Sequence, residues 1–146
     1  MSIDVTVKTG IALPVHEVAE YVLDPSNEPR WINGISTSEP LTPGPIGQGS
    51  RVRRTAKFAG RKIEYMTEVE AFDEDARLLM KTDKPFPMTI EYQFVGAEGG
   101  TVFTQRLQGG PGGVIGVLSP LMAVMVKRTV TADMRRLKRI LEGRAP

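Results

Sequence analysis

The segment QGGPGGVIGVLSPLMAVMVKRTVTADMRRLKRILE, residues 108–142, decides the fold because a turn pattern gives way in it to a helical one. Its glycine-rich start is typical of a turn, and no Gly-Lys-Ser/Thr follows to indicate a phosphate-binding loop. Helical spacing of apolar residues then continues to Glu142. Between Val114 and Val126 thirteen residues carry no charge. A transmembrane helix needs about 20 apolar residues, and Pro120 interrupts this run, so we predict a long buried helix and no membrane span.

One apolar stripe is predicted along this helix. It runs through Leu118, Met122, Met125, Thr129, Ala132 or Asp133, Arg136 or Leu137, and Ile140. The sequence leaves open whether Leu118, Leu121, Met122 and Met125 contact a ligand or only each other, and ligand contact is the preferred interpretation.

The residues before this helix predict a sheet. Residues 3–9 alternate apolar and polar side chains, as a half-buried strand does. A helix from Pro14 to Val22 and the short helical piece DPSNEPRWI follow. Strand-like runs divided by turns are then predicted at 36–42, 49–58, 62–72, 77–83, 87–95 and 101–108. The order of elements predicts an α+β fold in which the last helix covers a seven-stranded antiparallel sheet.

Composition excludes several classes of site. The chain has 146 residues, 40% hydrophobic and 25% charged, which is ordinary for one globular domain over residues 1–146. There is no cysteine and one histidine, His16, which excludes disulfides, thiolate metal sites and histidine-based triads. We expect neither metal nor cofactor. A net charge of +2 is too weak to indicate nucleic-acid binding. The start MSIDVTVKTG lacks signal-peptide features, so a cytoplasmic location is expected.

Four stretches resemble a known superfamily: the helix entry PVHEVAEYVLDPSNEPRW, the strand entry GPIGQGSRVR, the segment GGTVFTQRL and the ending DMRRLKRILE. The chain is similar to the START/Bet v 1-like (SRPBCC) proteins, in the polyketide cyclase/dehydrase and lipid-transport branch. The resemblance implies a helix-grip fold, with a curved sheet wrapped around the C-terminal helix and a mostly apolar cavity between them. It also implies that the junction containing Gly109, Gly110, Gly112 and Gly113 gates the cavity.

Strand alternation predicts which side chains face such a cavity. The inner face is predicted to carry Val52, Arg54, Ala56, Phe58, Ile63, Tyr65, Thr67, Val69, Ala71, Leu78, Met80, Met88, Ile90, Tyr92, Phe94, Phe103, Gln105 and Leu107. From these and the helices we select as ligand-binding candidates Trp31, Arg54, Phe58, Tyr65, Met80, Tyr92, Phe103, Gln105, Leu118, Met122 and Met125.

Arg54 has two interpretations, because a charge on an apolar face must be paired, hydrogen-bonded or wet. It anchors a polar group of a ligand, or it reaches water at a bulge or sheet edge. Trp31 likewise contacts a ligand as part of a lid or anchors the joint between helix and sheet. The hydroxyls of Tyr65 and Tyr92 serve either a ligand or the protein core.

The leading functional hypothesis is a binder or carrier of a small hydrophobic molecule, as monomer or homodimer. One alternative is a polyketide cyclase or dehydratase in which Arg54, Tyr65 and Tyr92 polarise a carbonyl, although a general base is missing. His16 is expected to be exposed, Asp133 to belong to a packed segment, and the outward carboxylates to pair across strands, namely Glu64, Glu68 and Glu70. Another alternative is a protein-interaction module.

The last helix is also basic, through Lys127, Arg128, Arg135, Arg136, Lys138 and Arg139. A solvated face explains most of these charges, and peripheral contact with an anionic membrane is a second interpretation.

Overall fold

The computed structural model describes residues 3–58, 60–83, 86–109 and 119–143, without the side chains of Phe58 and Ser119. The predicted contacts of Phe58 and Leu118 lie outside this description, as do Gly110, Gly112 and Gly113.

The described residues form an α+β structure in the predicted order. The elements are β1 (Ile3–Ile11), α1 (Val15–Val22), a 3₁₀ turn (Pro25–Asn27), α2 (Glu28–Trp31), β2 (Ile35–Pro40), β3 (Arg51–Phe58), β4 (Arg61–Asp73), β5 (Arg77–Thr82), β6 (Met88–Ala97), β7 (Gly100–Gly109) and α3 (Ser119–Glu142). All seven strands join one antiparallel sheet in the order β1-β7-β6-β5-β4-β3-β2. The segment holding α1 and α2 therefore connects the two edge strands, β1 and β2.

The two short helices begin where the sequence predicts. Pro14 precedes α1, which buries Val18, Ala19 and Val22 of the predicted stripe. Asp24 caps the following 3₁₀ turn, because its carboxylate accepts a hydrogen bond from the backbone amide of Ser26 at 3.0 Å. Each local prediction here rests on a capping or proline signal, and each is confirmed.

Helix α3 packs against β1 and α2 through a stripe that departs from the predicted one at Met125 and Thr129. The buried residues are Val130, Met134, Leu137 and Leu141, whereas Met125 is 55% exposed and Thr129 is exposed. The prediction is wrong between Met122 and Met134, because the stripe steps by four residues through Val126 and Val130. The predicted residues Met122, Leu137 and Ile140 do pack against the core. Leu137 rather than Arg136 and Asp133 rather than Ala132 point inward.

The far end of α3 is tied to β1 by polar contacts. The Lys138 ammonium donates to the Gly10 carbonyl at 2.5 Å, and the Ala12 amide donates to the Glu142 carboxylate at 3.0 Å. Among the described residues, no helix is long and apolar enough to cross a bilayer.

A bulge in β4 corrects one predicted orientation. Val69 pairs with Met80, but two residues later Ala71 pairs with Leu79 and Phe72 with Leu78. Side chains of paired residues share a face of the sheet, so Phe72 and not Ala71 faces inward with Leu78. The extra residue shifts the period-two pattern by one position.

Gly109 ends β7, paired with Ile3 on one side and Met88 on the other. Its φ is 125°, and a Cβ there would lie 2.3 Å from the Pro87 carbonyl oxygen. Close approach to neighbouring backbone therefore explains a glycine at this position, and the gating role of the junction stays a prediction.

Candidate functional site

The inner face of the sheet carries an aromatic cluster at its centre. Trp31 of α2 is fully buried, with its ring centroid 6.4 Å from that of Tyr92 and 6.3 Å from that of Phe103. Phe103 also stacks on Phe94 at 5.1 Å and meets Tyr92 edge-on at 5.4 Å. Such pairs contribute about 0.5–1.5 kcal/mol each beyond their burial. The cluster joins α2 to β6 and β7 and forms an apolar wall.

Next to this wall lies a buried ion pair between Arg54 and Glu28. The guanidinium donates from Nε to Glu28 Oε1 at 2.6 Å and from Nη2 to Oε2 at 2.9 Å, a bidentate arrangement. Arg54 Nη1 also donates to the Thr67 hydroxyl, and Ser38 donates to Glu28 Oε1 at 2.7 Å. Both charged side chains are buried, at 4% and 5% exposure. Arg54 therefore points inward, and its partner is the protein's own carboxylate.

The strand register explains how this pair is assembled. Ser38, Arg54 and Tyr65 are consecutive cross-strand partners on β2, β3 and β4. Glu28 reaches this row from the start of α2. Burial opposes the charge of the Arg54 guanidinium, but its hydrogen bonds to Glu28 raise its pKa further above the ordinary value. The Arg54 guanidinium therefore keeps its positive charge.

The two inner tyrosines stay protonated at neutral pH. Burial raises the pKa of the Tyr65 hydroxyl, an effect that the Arg54 charge partly opposes. Burial also raises the pKa of Tyr92 strongly, and the Glu28 carboxylate adds to this rise. A protonated phenol donates a hydrogen bond and does not act as a base. Both residues are therefore suited to polarising an oxygen acceptor.

Two buried polar atoms on the inner wall have no protein partner among the described residues. They are the indole Nε1 of Trp31 and the amide Oε1 of Gln105. Tyr92 is a neighbour of both residues, because its ring contacts that of Trp31 and it is the cross-strand partner of Gln105. An unsatisfied buried polar atom costs about 1–3 kcal/mol. These two atoms therefore cost the fold stability unless a partner satisfies them.

Asp133 is the second inward carboxylate, and it has a structural partner set. Its Oδ1 accepts from the Asn33 backbone amide and from Arg136 Nη1, both at 3.1 Å. Arg136 Nη1 also donates to the Trp31 carbonyl at 2.9 Å. Burial raises the pKa of the Asp133 carboxyl, although these two hydrogen bonds oppose the rise. The contacts join α3 to the end of α2, as the packing interpretation of Asp133 predicted.

The structure brings most predicted site residues together. Six of them are buried on the inner side, namely Trp31, Arg54, Met80, Tyr92, Phe103 and Gln105. Tyr65 and Met122 are half-buried. Met125 lies on the exposed face of α3, outside this group. Ligand contact by any of them stays a prediction.

The sequence did not identify Glu28 as a site residue or as the partner of Arg54. The available signal was Arg54 itself: an arginine predicted on an apolar face requires an anionic partner. Glu28 was a candidate for this partner, because it begins the short helix that also carries the predicted cavity residue Trp31.

The outer face of the sheet behaves as predicted. Glu68 pairs with Arg51 at 3.0 Å, and Glu64 and Glu70 pair with Arg53 and Lys81. His16 is exposed, 3.2 Å from Asp75.

Two other kinds of site, a metal centre and an apolar site, concern the described residues outside the inner wall. Within the described ranges no three His, Cys, Asp or Glu residues form a group that could hold a metal ion. A shallow groove of about 230 Å³ on the outer face is lined by the polar side chains Thr6, Lys8, Glu91, Gln93, Thr104 and Arg106. This lining does not suit an apolar ligand.

Solved structures with the same fold come from diverse proteins. TTHA0849 from Thermus thermophilus superimposes with a TM-score of 0.79 at 19% identity, covering 97% of this chain and 99% of that one. The di-domain ARO/CYC StfQ from the steffimycin biosynthetic pathway gives 0.78 at 12% identity, with 99% of this chain matching 52% of StfQ. Ara h 8.0201 gives 0.72 at 14% identity over 98% and 99% of the two chains. At these identities the similarity establishes the fold alone.

No curated protein matches the chain in sequence. The family described as polyketide cyclase / dehydrase and lipid transport does match, over residues 2–142. The match spans nearly the whole chain and agrees with the helix-grip architecture, so the chain belongs to this family of the START/Bet v 1-like superfamily.

Proposed function

We propose that the protein binds and carries a small hydrophobic molecule between the inner face of the sheet and α3. The observation that carries the proposal is the pair of unpartnered buried polar atoms, Trp31 Nε1 and Gln105 Oε1, within an aromatic wall. Small-molecule sites typically combine such an apolar lining with a few polar groups that orient the ligand.

The chemistry of the site favours binding over catalysis. Glu28 uses both carboxylate oxygens on Arg54, and Asp133 accepts from Asn33 and Arg136, so neither is available as a base. The inner tyrosines are protonated donors. A cyclase needs a group that removes a proton, and the described inner wall offers none at neutral pH.

Ligand carriage is tested by native mass spectrometry of the purified protein and by titration with Nile red, a neutral apolar dye. We expect a copurified small molecule or saturable dye binding at one site per chain. Ile90→Trp fills space on the inner face and should lower dye affinity at least tenfold. Val95→Trp, on the exposed outer side of the same strand, is the matched control. Absence of both copurified ligand and dye binding would refute the proposal.

We further propose that the exposed side of α3 contacts anionic membrane surfaces during ligand exchange. Leu121, Val124 and Met125 are 50–62% exposed on its first turns. Further along, Arg128, Arg135 and Arg139 are exposed, and none forms an ion pair with a described residue. Helical spacing places these apolar and basic residues on one side, the pattern of an interfacial helix.

Co-sedimentation with vesicles tests this contact. We expect binding to phosphatidylcholine vesicles that contain phosphatidylserine, weakened by salt and by Leu121→Ser or Arg128→Glu. Equal binding to pure phosphatidylcholine vesicles, or no binding to either, would contradict it. Val95→Ser, which removes an exposed apolar side chain from the sheet, is the control.

A further inference from the structure

We infer that this site selects neutral ligands carrying a hydroxyl group over anionic ligands, and that Glu28 determines this selectivity by neutralising Arg54. The inference rests on the proposed function, because it concerns the same inner wall. It assigns a specificity-determining role to Glu28.

The first step concerns the charge of Arg54. Its guanidinium is held by both oxygens of Glu28, by the Thr67 hydroxyl and, at 3.9 Å, by the Met80 sulfur. A bidentate arginine–carboxylate pair satisfies the geometry and charge of both groups. A ligand carboxylate would have to displace Glu28 and leave that buried charge unpaired. Arg54 is therefore not available as an anion anchor.

The second step concerns the other charges on the wall. Besides Arg54, the buried charged groups in the described part of the chain are the carboxylates of Glu28 and Asp133. Arg136 is half-buried and paired with Asp133 at 3.1 Å. An entering anion would meet two carboxylates and no free cation, and burying an uncompensated charge is strongly unfavourable. The wall therefore disfavours ligand carboxylates.

The third step concerns what the wall does offer. Trp31 Nε1 can only donate a hydrogen bond, and Gln105 Oε1 can only accept one. A hydroxyl group both donates and accepts hydrogen bonds, so a ligand that carries one can serve either kind of atom. The surrounding rings of Tyr92 and Phe103 supply apolar contact for the rest of the molecule. The matching ligand class is an uncharged lipid-like or aromatic alcohol.

A matched pair of ligands tests the inference at pH 8, where decanoate is ionised. Displacement of Nile red should show 1-decanol binding to the wild-type protein at least tenfold more tightly than decanoate. Glu28→Gln keeps the size of the side chain but leaves Arg54 unpaired, so decanoate affinity should rise at least tenfold. Glu68→Gln, which breaks an exposed arginine pair between the neighbouring strands, is the control and should change neither affinity.

A second variant covers the case in which Glu28→Gln does not fold. Gln105→Leu removes the acceptor at nearly constant volume, so the preference of the site for 1-decanol over decyl methyl ether should fall several-fold. Gln93→Leu on the exposed outer face is its control.

The outcomes separate the two proposals. Failure of the wild-type protein to bind Nile red, with no copurified molecule in its native mass spectrum, refutes ligand carriage itself. Binding of dye with decanoate as effective as 1-decanol overturns the selectivity inference and leaves carriage intact. An unchanged alcohol preference in Gln105→Leu also overturns the hydroxyl assignment.

Discussion

Removing one partner of the Arg54–Glu28 pair should lower the free energy of unfolding far more than removing one partner of any other ion pair of the described sheet. Glu28→Gln leaves the guanidinium at 4% exposure with a neutral neighbour in place of a bidentate carboxylate. Removing one partner of a buried pair costs about 3–5 kcal/mol, because the remaining charge stays desolvated. We therefore expect Glu28→Gln to remove a large fraction of the stability of this domain.

The expected thermal shift follows from the length of the chain. For 146 residues the unfolding entropy near the midpoint is about 0.3 kcal/mol/K. A loss of about 3–5 kcal/mol then lowers Tm by roughly 10–16 °C. The pair Arg51–Glu68 joins β3 to β4 at 3.0 Å, and its side chains are 55% and 32% exposed. Glu68→Gln should cost about 0–1 kcal/mol, or less than roughly 3 °C.

Thermal and urea unfolding, each followed by circular dichroism, measure both variants together with Arg54→Met and the double variant Glu28→Gln/Arg54→Met. The double variant should lose much less stability than the sum of the two single losses, because it leaves no uncompensated charge. Additive losses, or a Glu28→Gln loss no larger than that of Glu68→Gln, would show that the pair is not desolvated as the structure indicates.

Three further predictions concern α3 and the strand ends. Burial raises the folded-state pKa of the Asp133 carboxyl, so its contribution to stability is greatest below the unfolded pKa and is lost as pH rises through the folded pKa. The stability of the wild-type protein relative to Asp133→Asn should therefore rise when the pH is lowered from 7 to 4. A constant or falling difference in urea unfolding would contradict this. Met134→Ala should cost about 2–5 kcal/mol and Met125→Ala less than about 0.5 kcal/mol in the same assay, whereas equal losses would contradict the observed helical phase. Gly109→Ala should lower the free energy of unfolding by about 1–3 kcal/mol through backbone strain. Gly10→Ala, whose added Cβ would meet no atom within 4 Å, should have a free energy of unfolding within about 1 kcal/mol of wild type.

The sheet was predictable because its signals are local. Alternation placed Val52, Arg54 and Ala56 inward and their neighbours outward, and the structure agrees. The prediction that Phe103 and Gln105 lie on the inner face of β7 is also confirmed, since both are buried and Phe103 belongs to the aromatic cluster. Period-two patterns follow directly from strand geometry, and they fail only where a residue is inserted.

The failures have nonlocal causes. The β4 bulge between Val69 and Ala71 depends on pairing with β5, and the sequence of β4 alone does not predict it. The phase of α3 was misjudged because apolar residues surround its first turns: Leu121, Val124 and Met125 are exposed although they resemble core residues. Which side of the first turns of α3 is buried depends on tertiary contacts, and sequence periodicity alone does not predict them.

Glu28 illustrates why polar site residues are harder to predict than apolar ones. At the first position of a short helix a glutamate is ordinarily a solvent-exposed residue that complements the helix dipole. Its burial requires α2 to lie over β2 and β3, so that Glu28 meets Ser38 and Arg54, which are 10 and 26 residues away. The need for such a partner was readable from Arg54, but its identity depended on the fold.

The polar groups of the inner wall fall into two kinds with different consequences. Arg54, Glu28 and Asp133 are satisfied by other protein groups, so they fix α2 and α3 against the sheet and are unavailable to a ligand. The Trp31 and Gln105 atoms have no described partner, and each costs stability unless a bound molecule satisfies it. Apolar substitution at Gln105 should therefore stabilise the empty protein while it weakens alcohol binding. That opposition is typical of a binding site, since a residue kept for packing alone would gain nothing from an unpaired buried amide oxygen.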